Sequence, residues 1–574
     1  MLVALLVAAP LVETVASLIG RHWFATGDQA LEMLRISDVG GKHTPLVGAW
    51  SRWGWAHPGP LLFWLLAPFY RVFGETGVLA GAGVLNLACV VAVVAVAFRR
   101  GGVQLAALAG LMVALLMHGS AAVLLDPWNP WAAFFPFVVF LFLVWSVLCG
   151  DLVMLPVAMV LGSYSVQAHA GYVPLVGGLL AIAVVWCAVP AVRSRERDGL
   201  RRTPTARWLR MTAIAGLVVW LPAIVDQLTG GNNLRELLAY SRNPTEPAVG
   251  IHRAFVAMGA ELRPNGPWIT GHDSGGLGFL IASPVWPGVV MFAAVIAVGL
   301  FAWRRGHHDA ARLAMVAGAG AVLALLSTAR VTGIFVPYVM RWWWGVAAIS
   351  TLSIVWTLVL ELRAARARDI FSAFALVGIL ATGVTMVSDL PTPFPERQLS
   401  PVIASVGGPT AAALDRTKRY LVRGIDPASL GATQNGLYFD LERRGFHVFT
   451  DVSQFSSLRF GDWRVASPHD VDEMVMIVAV PDLDAGTFVP TAGTRLVASY
   501  DPLTPEQRAR YRALVVDVRA RLGASAPTGR LELSIAEFQA LEHAGVPDPA
   551  FAELLALQQY GDGYEVFVTP PPAT

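Results

Sequence analysis

Long apolar runs are the feature of this sequence that most constrains its fold. The chain has 574 residues, of which 55% are hydrophobic and only 14% are charged. A helix that crosses a bilayer needs roughly twenty predominantly apolar residues. Such runs occur near residues 2–19, 77–98, 103–119, 131–149, 153–168, 172–190, 208–226, 284–303, 309–328, 335–359 and 370–388. They predict a polytopic α-helical membrane protein with about eleven transmembrane helices.

Basic clusters predict the orientation of these helices. Each cluster lies at an even-numbered boundary between predicted spans, and Lys and Arg are concentrated in cytoplasmic loops. We therefore expect the N-terminus in the cytoplasm and the C-terminal region outside it. High use of Ala, Val, Arg and Gly points to the plasma membrane of a bacterium. The clusters are Arg99-Arg100, the run from Arg193 to Arg202, Arg304-Arg305 through Arg312, and Arg363 to Arg368.

The last third of the chain has a different pattern. From about residue 390 the hydrophobic runs shorten and the charge density rises, which is typical of a soluble domain. Strand-like runs alternate there with helical patterns, at 419–425, 447–450, 474–480, 495–500 and 564–568. We predict a transmembrane domain over residues 1–389, with an external loop at 20–76, and an extracytoplasmic soluble α/β domain over residues 390–574.

Two helices of this C-terminal domain have recognisable starts. One is expected near 504–522 and the other near 534–543. Each begins with a Ser or Thr followed three residues later by Gln or Glu, the pattern of a capping box. The two sequences are Thr504-Pro505-Glu506-Gln507 and Ser534-Ile535-Ala536-Glu537.

Composition also excludes some partners. The net charge is only +2 and the basic residues are scattered, so no nucleic-acid partner is expected. Cys89, Cys149 and Cys187 all fall in apolar runs, and their spacing matches no zinc or redox motif. No set of His, Asp and Glu has a spacing that demands a metal, so no cofactor is predicted, although a divalent metal is left open.

The polar segment from Arg21 to Gly74 holds the residues that a site for a phosphate and a sugar would need. A carboxylate such as Asp28 can deprotonate a hydroxyl, cations can neutralise phosphate, and Trp faces can pack on a sugar ring. Two alternatives stay open. The segment could be an interfacial anchor, and Asp28 could be only a helix N-cap.

Three motifs in this segment resemble those of the GT-C superfamily of integral-membrane glycosyltransferases. The likeness is to the branch of the protein O-mannosyltransferases and lipid A aminoarabinose transferases. Gln29 stands where the mannosyltransferases have a second acid, and Gly59 stands in place of a proline. The motifs are Gly27-Asp28-Gln29, His57-Pro58-Gly59-Pro60-Leu61 and Phe73-Gly74.

Two later motifs look like those of the same bacterial membrane transferases. They are Trp128-Asn129-Pro130 and Gln167-Ala168-His169. Asp126 precedes the first and would be the second carboxylate, since related enzymes place an acid there. Its alternative role is a capping Asp before proline, and His169 could be a structural histidine paired with Gln167.

The resemblance implies transfer of a sugar from a polyprenyl-phosphate donor to a glycan, lipid or protein acceptor outside the cytoplasm, in cell-envelope biogenesis. It also implies inverting chemistry, with Asp28 as base and Asp126 assisting. Arg341 could instead be a snorkelling residue beside an aromatic belt. The candidates for binding the donor phosphate are Lys42, Arg52, His57, Arg330 and Arg341. The candidates for binding sugar or acceptor are Trp55, Trp128, Asn129, Gln167 and His169.

Two other classes of function remain as alternatives. A transporter or flippase of lipid-linked sugars would show inverted repeats and broken helices in matching halves, and the sequence shows no such symmetry. A polysaccharide ligase or polymerase would place its large catalytic loop late among the spans. The early Asp28 loop favours the transferase.

Overall fold

The computed structural model describes residues 1–193, 204–271, 283–333, 335–362, 364–389, 394–395, 398–426, 430–452, 456–484, 486–522, 549–558 and 560–572. The helix expected at 534–543 and most of the basic run from Arg193 to Arg202 lie outside these residues. The chain forms two compact units. The first comprises residues 1–21 and 38–393, and the second comprises residues 22–37 and 394–574.

Apolar helices dominate the first unit. Most have about the length that a transmembrane crossing requires, and short helices lie between them. Before residue 390 the described helices are α1 (Leu2–Ala16), α2 (Gly27–Asp38), α3 (Leu61–Gly119), α4 (Asn129–Ala132), α5 (Phe134–Leu148), α6 (Met154–Ala168), α7 (Val173–Arg193), α8 (Pro204–Thr229), α9 (Asn233–Arg242), α10 (Gly250–Glu261), α11 (Pro267–Thr270), α12 (Trp286–Arg304), α13 (His308–Ala329), α14 (Trp342–Leu360) and α15 (Ala365–Asp389).

Glycines break the 59-residue helix α3 in two places. Gly74 and Gly102 have φ angles of 66° and 64°, in the left-handed region that a β-carbon disfavours. The breaks separate 61–73 from 75–100 and 75–100 from 103–119, which agrees with the predicted runs. Eight described helices are long and apolar enough to cross a membrane. Counting 75–100 and 103–119 as two spans, leaving out the short part 61–73, and including the shorter α1 and α6 gives eleven apolar helices in the described part of the chain, as the sequence predicted.

The apolar residues of these helices lie in two environments, the interior of the unit and its surface. All 15 residues of α5 are buried, so this helix lies inside the unit although it is apolar on every side. By contrast, α8 exposes Leu217 and Val218, and α15 exposes Phe374 and Val377. Exposed apolar faces of this kind are suited to contact with lipid.

A mixed six-stranded sheet forms the core of the second unit, in the order β3-β2-β1-β4-β6-β5. The first four run parallel, and β6 is antiparallel to both β4 and β5. The predicted C-terminal α/β domain is confirmed. The elements are β1 (Arg419–Ile425), β2 (His447–Asp451), β3 (Val465–Ala466), β4 (Glu473–Ala479), β5 (Arg495–Tyr500), β6 (Tyr564–Thr569), α16 (Ser400–Ala413), α17 (Ala432–Arg443), α18 (Ser456–Phe460), α19 (Val480–Asp484), α20 (Pro505–Leu522) and α21 (Pro549–Gln558).

Residues 22–37, which contain most of α2, pack within this second unit. The Trp23 indole donates to Pro395 O at 3.2 Å, and the Asn435 amide donates to Gly27 O at 3.3 Å. Gly436 lets the two segments approach closely, because a β-carbon there would lie 2.8 Å from a backbone oxygen of residue 25. An early segment of the chain is therefore part of a unit made mostly of its C-terminal third.

The capping box predicted at the start of α20 is present. Gln507 N–H donates to Thr504 Oγ1 at 3.2 Å, and Thr504 N–H donates to Gln507 Oε1 at 2.9 Å. The two residues satisfy each other's backbone donors at the exposed end of the helix.

Candidate functional site

A short hairpin in the first unit carries Trp55 and His57. Within it, His57 N–H donates to Ala49 O at 2.8 Å. From α9, the Asn233 side chain contacts both backbone groups of Ala56, accepting at 2.7 Å and donating at 2.9 Å. Two buried hydrogen bonds from one amide fix the hairpin and, with it, the direction of the His57 side chain.

Gly59, the residue that departs from the family motif, packs directly against Gln167. A β-carbon at position 59 would lie 2.2 Å from Gln167 Oε1, so a larger residue cannot fit while Gln167 keeps this position. Gln167 is fully buried, and its Nε2 donates to Val219 O at 2.7 Å. The pair joins the His-Pro turn to the end of α6.

The structure brings together the imidazoles of His57 and His169, with ring centres 5.1 Å apart. His57 Nδ1 accepts from Ala170 N–H at 3.0 Å, and His169 Nδ1 accepts from Gly171 N–H at 3.3 Å. These contacts assign the proton of each neutral ring to Nε2. Burial, with a smaller contribution from His169, lowers the pKa of His57 well below its usual value, and burial lowers the pKa of His169 to about 4. At neutral pH both rings are therefore uncharged hydrogen-bond donors.

Aromatic rings surround this histidine pair. The Trp55 ring meets His57 edge-on at 5.4 Å, and the Tyr172 and Trp342 rings lie 6.1 and 6.4 Å from His169. The indole nitrogens of Trp55 and Trp342 and the hydroxyl of Tyr172 are buried without a hydrogen-bond partner among the described residues. Aromatic faces with such polar groups at their edges are suited to a sugar ring.

Asp126, Trp128 and Asn129 lie on the turn that leads into α4. Asp126 is buried, and its Oδ1 accepts from Trp128 N–H at 2.9 Å, which is the capping contact of the alternative interpretation. Asn129 Nδ2 donates to Ala168 O at 2.8 Å. This hydrogen bond joins the Asp126 turn to the turn that carries His169.

Arg341 is buried between two tryptophans. Its guanidinium carbon lies 3.9 Å from the centre of the Trp344 ring and 4.6 Å from that of Trp131. Trp344 Nε1 donates to Glu261 Oε2 at 2.9 Å. We call Arg341, Glu261, Trp131 and Trp344 the arginine cage.

The arginine cage places a charged guanidinium near Glu261, a carboxyl group whose pKa is raised. Burial lowers the pKa of Arg341 to about 10, with Glu261 opposing the shift, so the guanidinium stays charged at neutral pH. Burial raises the pKa of Glu261 to about 7, although the charge of Arg341 opposes this shift. A buried guanidinium in such a low-dielectric site is suited to receive an anion.

The other predicted cations lie at the surface of the first unit. Arg52 covers the Trp53 ring at 4.3 Å, and Arg330 donates to Ser241 O at 2.7 Å. Lys42 is exposed in a turn that follows α2. In the described part of the chain, no group of three or more His, Cys, Asp and Glu residues is placed to hold a metal ion.

Asp28, the predicted base, belongs to the second unit. It lies in the first turn of α2 and is half-buried. Burial lowers the pKa of Arg459 of the same unit, and the charge of the Asp28 carboxylate opposes this shift. The other predicted site residues belong to the first unit.

Sequence reasoning missed three residues that shape this region, namely Glu261, Asn233 and Tyr172. Glu261 ends a short helix in the long loop after α8, where an acid looks like an ordinary surface residue. The Asn233 signal was present, since Gly230-Gly231-Asn232-Asn233 marks a helix start, but nothing in it indicated a contact with Ala56. Tyr172 belongs to an apolar run, where an aromatic residue is common and does not indicate a site.

Comparison with protein-family models gives no match, and no curated protein matches the sequence. Solved structures do match. ArnT from Cupriavidus metallidurans in the apo state has 15% sequence identity and a TM-score of 0.52, covering 86% of this chain and 95% of that one. The same protein bound to undecaprenyl phosphate has 16% identity and a TM-score of 0.50, with the same coverage.

A third match is the Archaeoglobus fulgidus oligosaccharyltransferase in complex with zinc and sulfate. It has 10% identity and a TM-score of 0.44, covering 99% of this chain and 88% of that one. The likeness to ArnT shows that this chain shares the fold of that protein. The fold expected from the Gly-Asp and His-Pro motifs is confirmed.

Proposed function

We propose that this protein is a GT-C glycosyltransferase that moves a sugar from a polyprenyl-phosphate donor to a glycan, lipid or protein acceptor outside the cytoplasm, in cell-envelope biogenesis. The observation that carries the proposal is the fold shared with ArnT over 86% of this chain, since ArnT has been seen with undecaprenyl phosphate bound. The buried arginine cage and the histidine pair support it, because they supply a cation and neutral donors in one unit.

Arg341 is the residue we assign to the donor phosphate. Negative charge develops on that phosphate as its bond to the sugar breaks, and a cation in a low-dielectric site stabilises it more strongly than one in water. Glu261 and Trp344 hold the guanidinium in place. The surface cations would attract the anionic donor, and His57 would contribute an N–H without charge. The surface cations are Lys42, Arg52 and Arg330.

For the sugar, Trp55, Trp128 and His169 would supply ring faces and an N–H donor. Gln167 and Asn129 act indirectly in our proposal. The first packs under Gly59, and the second holds the backbone that leads to His169.

The proposed reaction is a single displacement. The acceptor hydroxyl gives its proton to Asp28 while its oxygen attacks the anomeric carbon, and the bond from that carbon to the phosphate oxygen breaks. The electron pair leaves on the polyprenyl phosphate, and the anomeric configuration inverts. Arg459 interacts electrostatically with Asp28, the proposed base, and Asp126 would assist as a second carboxylate.

We further propose that residues 390–574 form an extracytoplasmic domain, that the N-terminus is cytoplasmic and that the protein lies in a bacterial plasma membrane. Two of the basic clusters pair with acids of neighbouring loops, which supports a shared side for those loops. Arg99 lies 2.7 Å from Asp151, and Arg305 lies 3.2 Å from Glu361.

Single-turnover transfer by the reconstituted protein tests the function. We expect wild type to transfer label from polyprenyl-phosphate sugars, Asp28→Asn to lose at least about a hundredfold in rate, and Asp126→Asn to lose less. Asp470→Asn, which alters an exposed acid of the same unit as Asp28, is the control. Unchanged transfer by Asp28→Asn would remove the base. Movement of lipid-linked sugar across vesicles without transfer would favour a flippase.

A further inference from the structure

The second unit contains a cavity that the proposed chemistry does not use. It has a volume of about 550 Å³, within the usual size of small-molecule sites. It lies where β1 and β2 end, and Met476 of β4 also lines it. Its polar and aromatic lining residues are Arg423, Gln434, Thr450, Asp451, Arg459 and Phe460.

The topology of the sheet favours a binding site here. From β1 the chain passes through α17 to β2 and β3 on one side, and then returns to β4 on the other side of β1. The strand order therefore reverses at β1. In open α/β sheets, ligands bind beyond the carboxyl ends of parallel strands at such a reversal.

The charges of the cavity are balanced. Arg423 and Asp451 lie on adjacent parallel strands and form an ion pair. The second arginine, Arg459, is subject to the field of Asp28 on α2. A strongly anionic ligand would have to compete with both carboxylates for these guanidinium groups. A neutral ligand with several hydroxyls can bind guanidinium donors and carboxylate acceptors together, without separating the charges.

Apolar side chains form the rest of the lining. Phe460 is buried and packs edge-on against Tyr438, with ring centres 5.0 Å apart. Ile425 and Met476 line the same cavity. Polar pairs beside an apolar, aromatic surface match the two kinds of surface that a sugar ring presents.

We propose that this cavity binds a neutral saccharide, and that the acceptor of the transferase is therefore a glycan rather than a lipid or a protein. The second part of this inference, the identity of the acceptor, rests on the proposed function. Asp28 connects the cavity with the proposed reaction, because this proposed base acts electrostatically on Arg459, which lines the cavity. An acceptor hydroxyl bound beside Arg459 would lie in the field of that base.

Saccharide binding by the full-length protein in nanodiscs tests the site, since sugar-based detergents would compete. The probes are mannotriose and an arabinofuranose trisaccharide, with inorganic phosphate and glucose 6-phosphate as anions, measured by saturation-transfer NMR and calorimetry without donor. We expect at least one trisaccharide to bind more tightly than either anion. Arg459→Gln and Arg423→Gln should each weaken its binding about tenfold or more.

Arg495→Gln is the matched control, because Arg495 is an exposed arginine of β5 at the far edge of the sheet. It should bind as wild type does, and Arg459→Lys should bind better than Arg459→Gln. Tighter binding of phosphate than of saccharide, or equal binding by all variants, overturns the proposal. Saccharide binding without any sugar transfer would leave the cavity site standing and remove the proposed function. Sugar transfer with no saccharide binding would overturn the cavity site and leave the proposed function standing.

Discussion

The guanidinium of Arg341 lies over the indole of Trp344, with 3.9 Å between the guanidinium carbon and the ring centre. The same indole donates its N–H to Glu261, so a single aromatic side chain contacts both the cation and the acid. A displacement of Trp344 would therefore change both contacts at once. The geometry of the arginine cage therefore depends on the position of this indole.

Replacing Trp344 by Phe should test that dependence. The variant keeps an aromatic face for Arg341 but removes the N–H that binds the buried Glu261 carboxylate. We expect a loss of about 1–3 kcal/mol in unfolding free energy, measured by thermal unfolding in nanodiscs, together with weaker use of the donor. Trp286→Phe, at a tryptophan that is 67% exposed, should change neither. Equal effects of the two substitutions would contradict the role of Trp344.

The acidity of Glu261 predicts a pH dependence of stability. Its pKa is raised in the folded protein from 4.5 to about 7 by burial. A carboxyl with a raised folded pKa contributes stability below pH 4.5 that is lost as pH rises through 7. Relative to Glu261→Gln, wild type should lose on the order of 3 kcal/mol between pH 4.5 and 8. A constant difference between the two proteins over this range would show that Glu261 titrates normally.

His169 should show the opposite trend. Burial lowers its pKa from 6.5 to about 4, so its contribution to stability is present above pH 6.5 and is lost as pH falls through 4. His169→Asn keeps an acceptor for the N–H of Gly171 but cannot titrate. The unfolding free energy, measured from pH 8 to 4, should therefore fall more steeply for wild type than for the variant, by on the order of 3 kcal/mol. Parallel curves for the two proteins would argue against a neutral His169.

The contact between Gly59 and Gln167 predicts an unusually costly Ala substitution. A β-carbon at position 59 overlaps Gln167 Oε1, so Gly59→Ala should destabilise the protein by about 1–3 kcal/mol and slow transfer. Gly177→Ala is the control, since a β-carbon there meets nothing within 4 Å. In a double-mutant cycle, Gln167→Ala should cost less when Gly59 is already Ala. Strict additivity would mean that the two residues do not interact.

Much of the fold could be predicted because it depends on local patterns. The apolar runs predicted the helices of the first unit, including the separate runs at 77–98 and 103–119 within α3. Strands β1 and β5 begin and end where the strand-like runs predicted them, at 419–425 and 495–500. The capping box at Thr504 also depends only on neighbouring residues, so it was visible in the sequence.

The site was harder to predict because its contacts join distant parts of the chain. His57 and His169 were each singled out by a motif, but their contact depends on how two turns pack. Burial also makes His57 neutral where a cation was expected for phosphate binding. Glu261 carries no motif at all. The membership of Asp28 in the second unit could not be inferred either, since sequence proximity to α1 suggested the membrane unit.

That membership has a consequence for biosynthesis. Trp23 and its partner Pro395 are 372 residues apart, so at about 5–20 residues per second the ribosome needs roughly 20–70 s to make the second after the first. During this interval residues 22–37 have no second unit to join, although Leu31 and Leu34 of α2 are buried in the finished protein. Nascent chains therefore need temporary shelter for α2, from the lipid surface or from a chaperone, until translation is nearly complete.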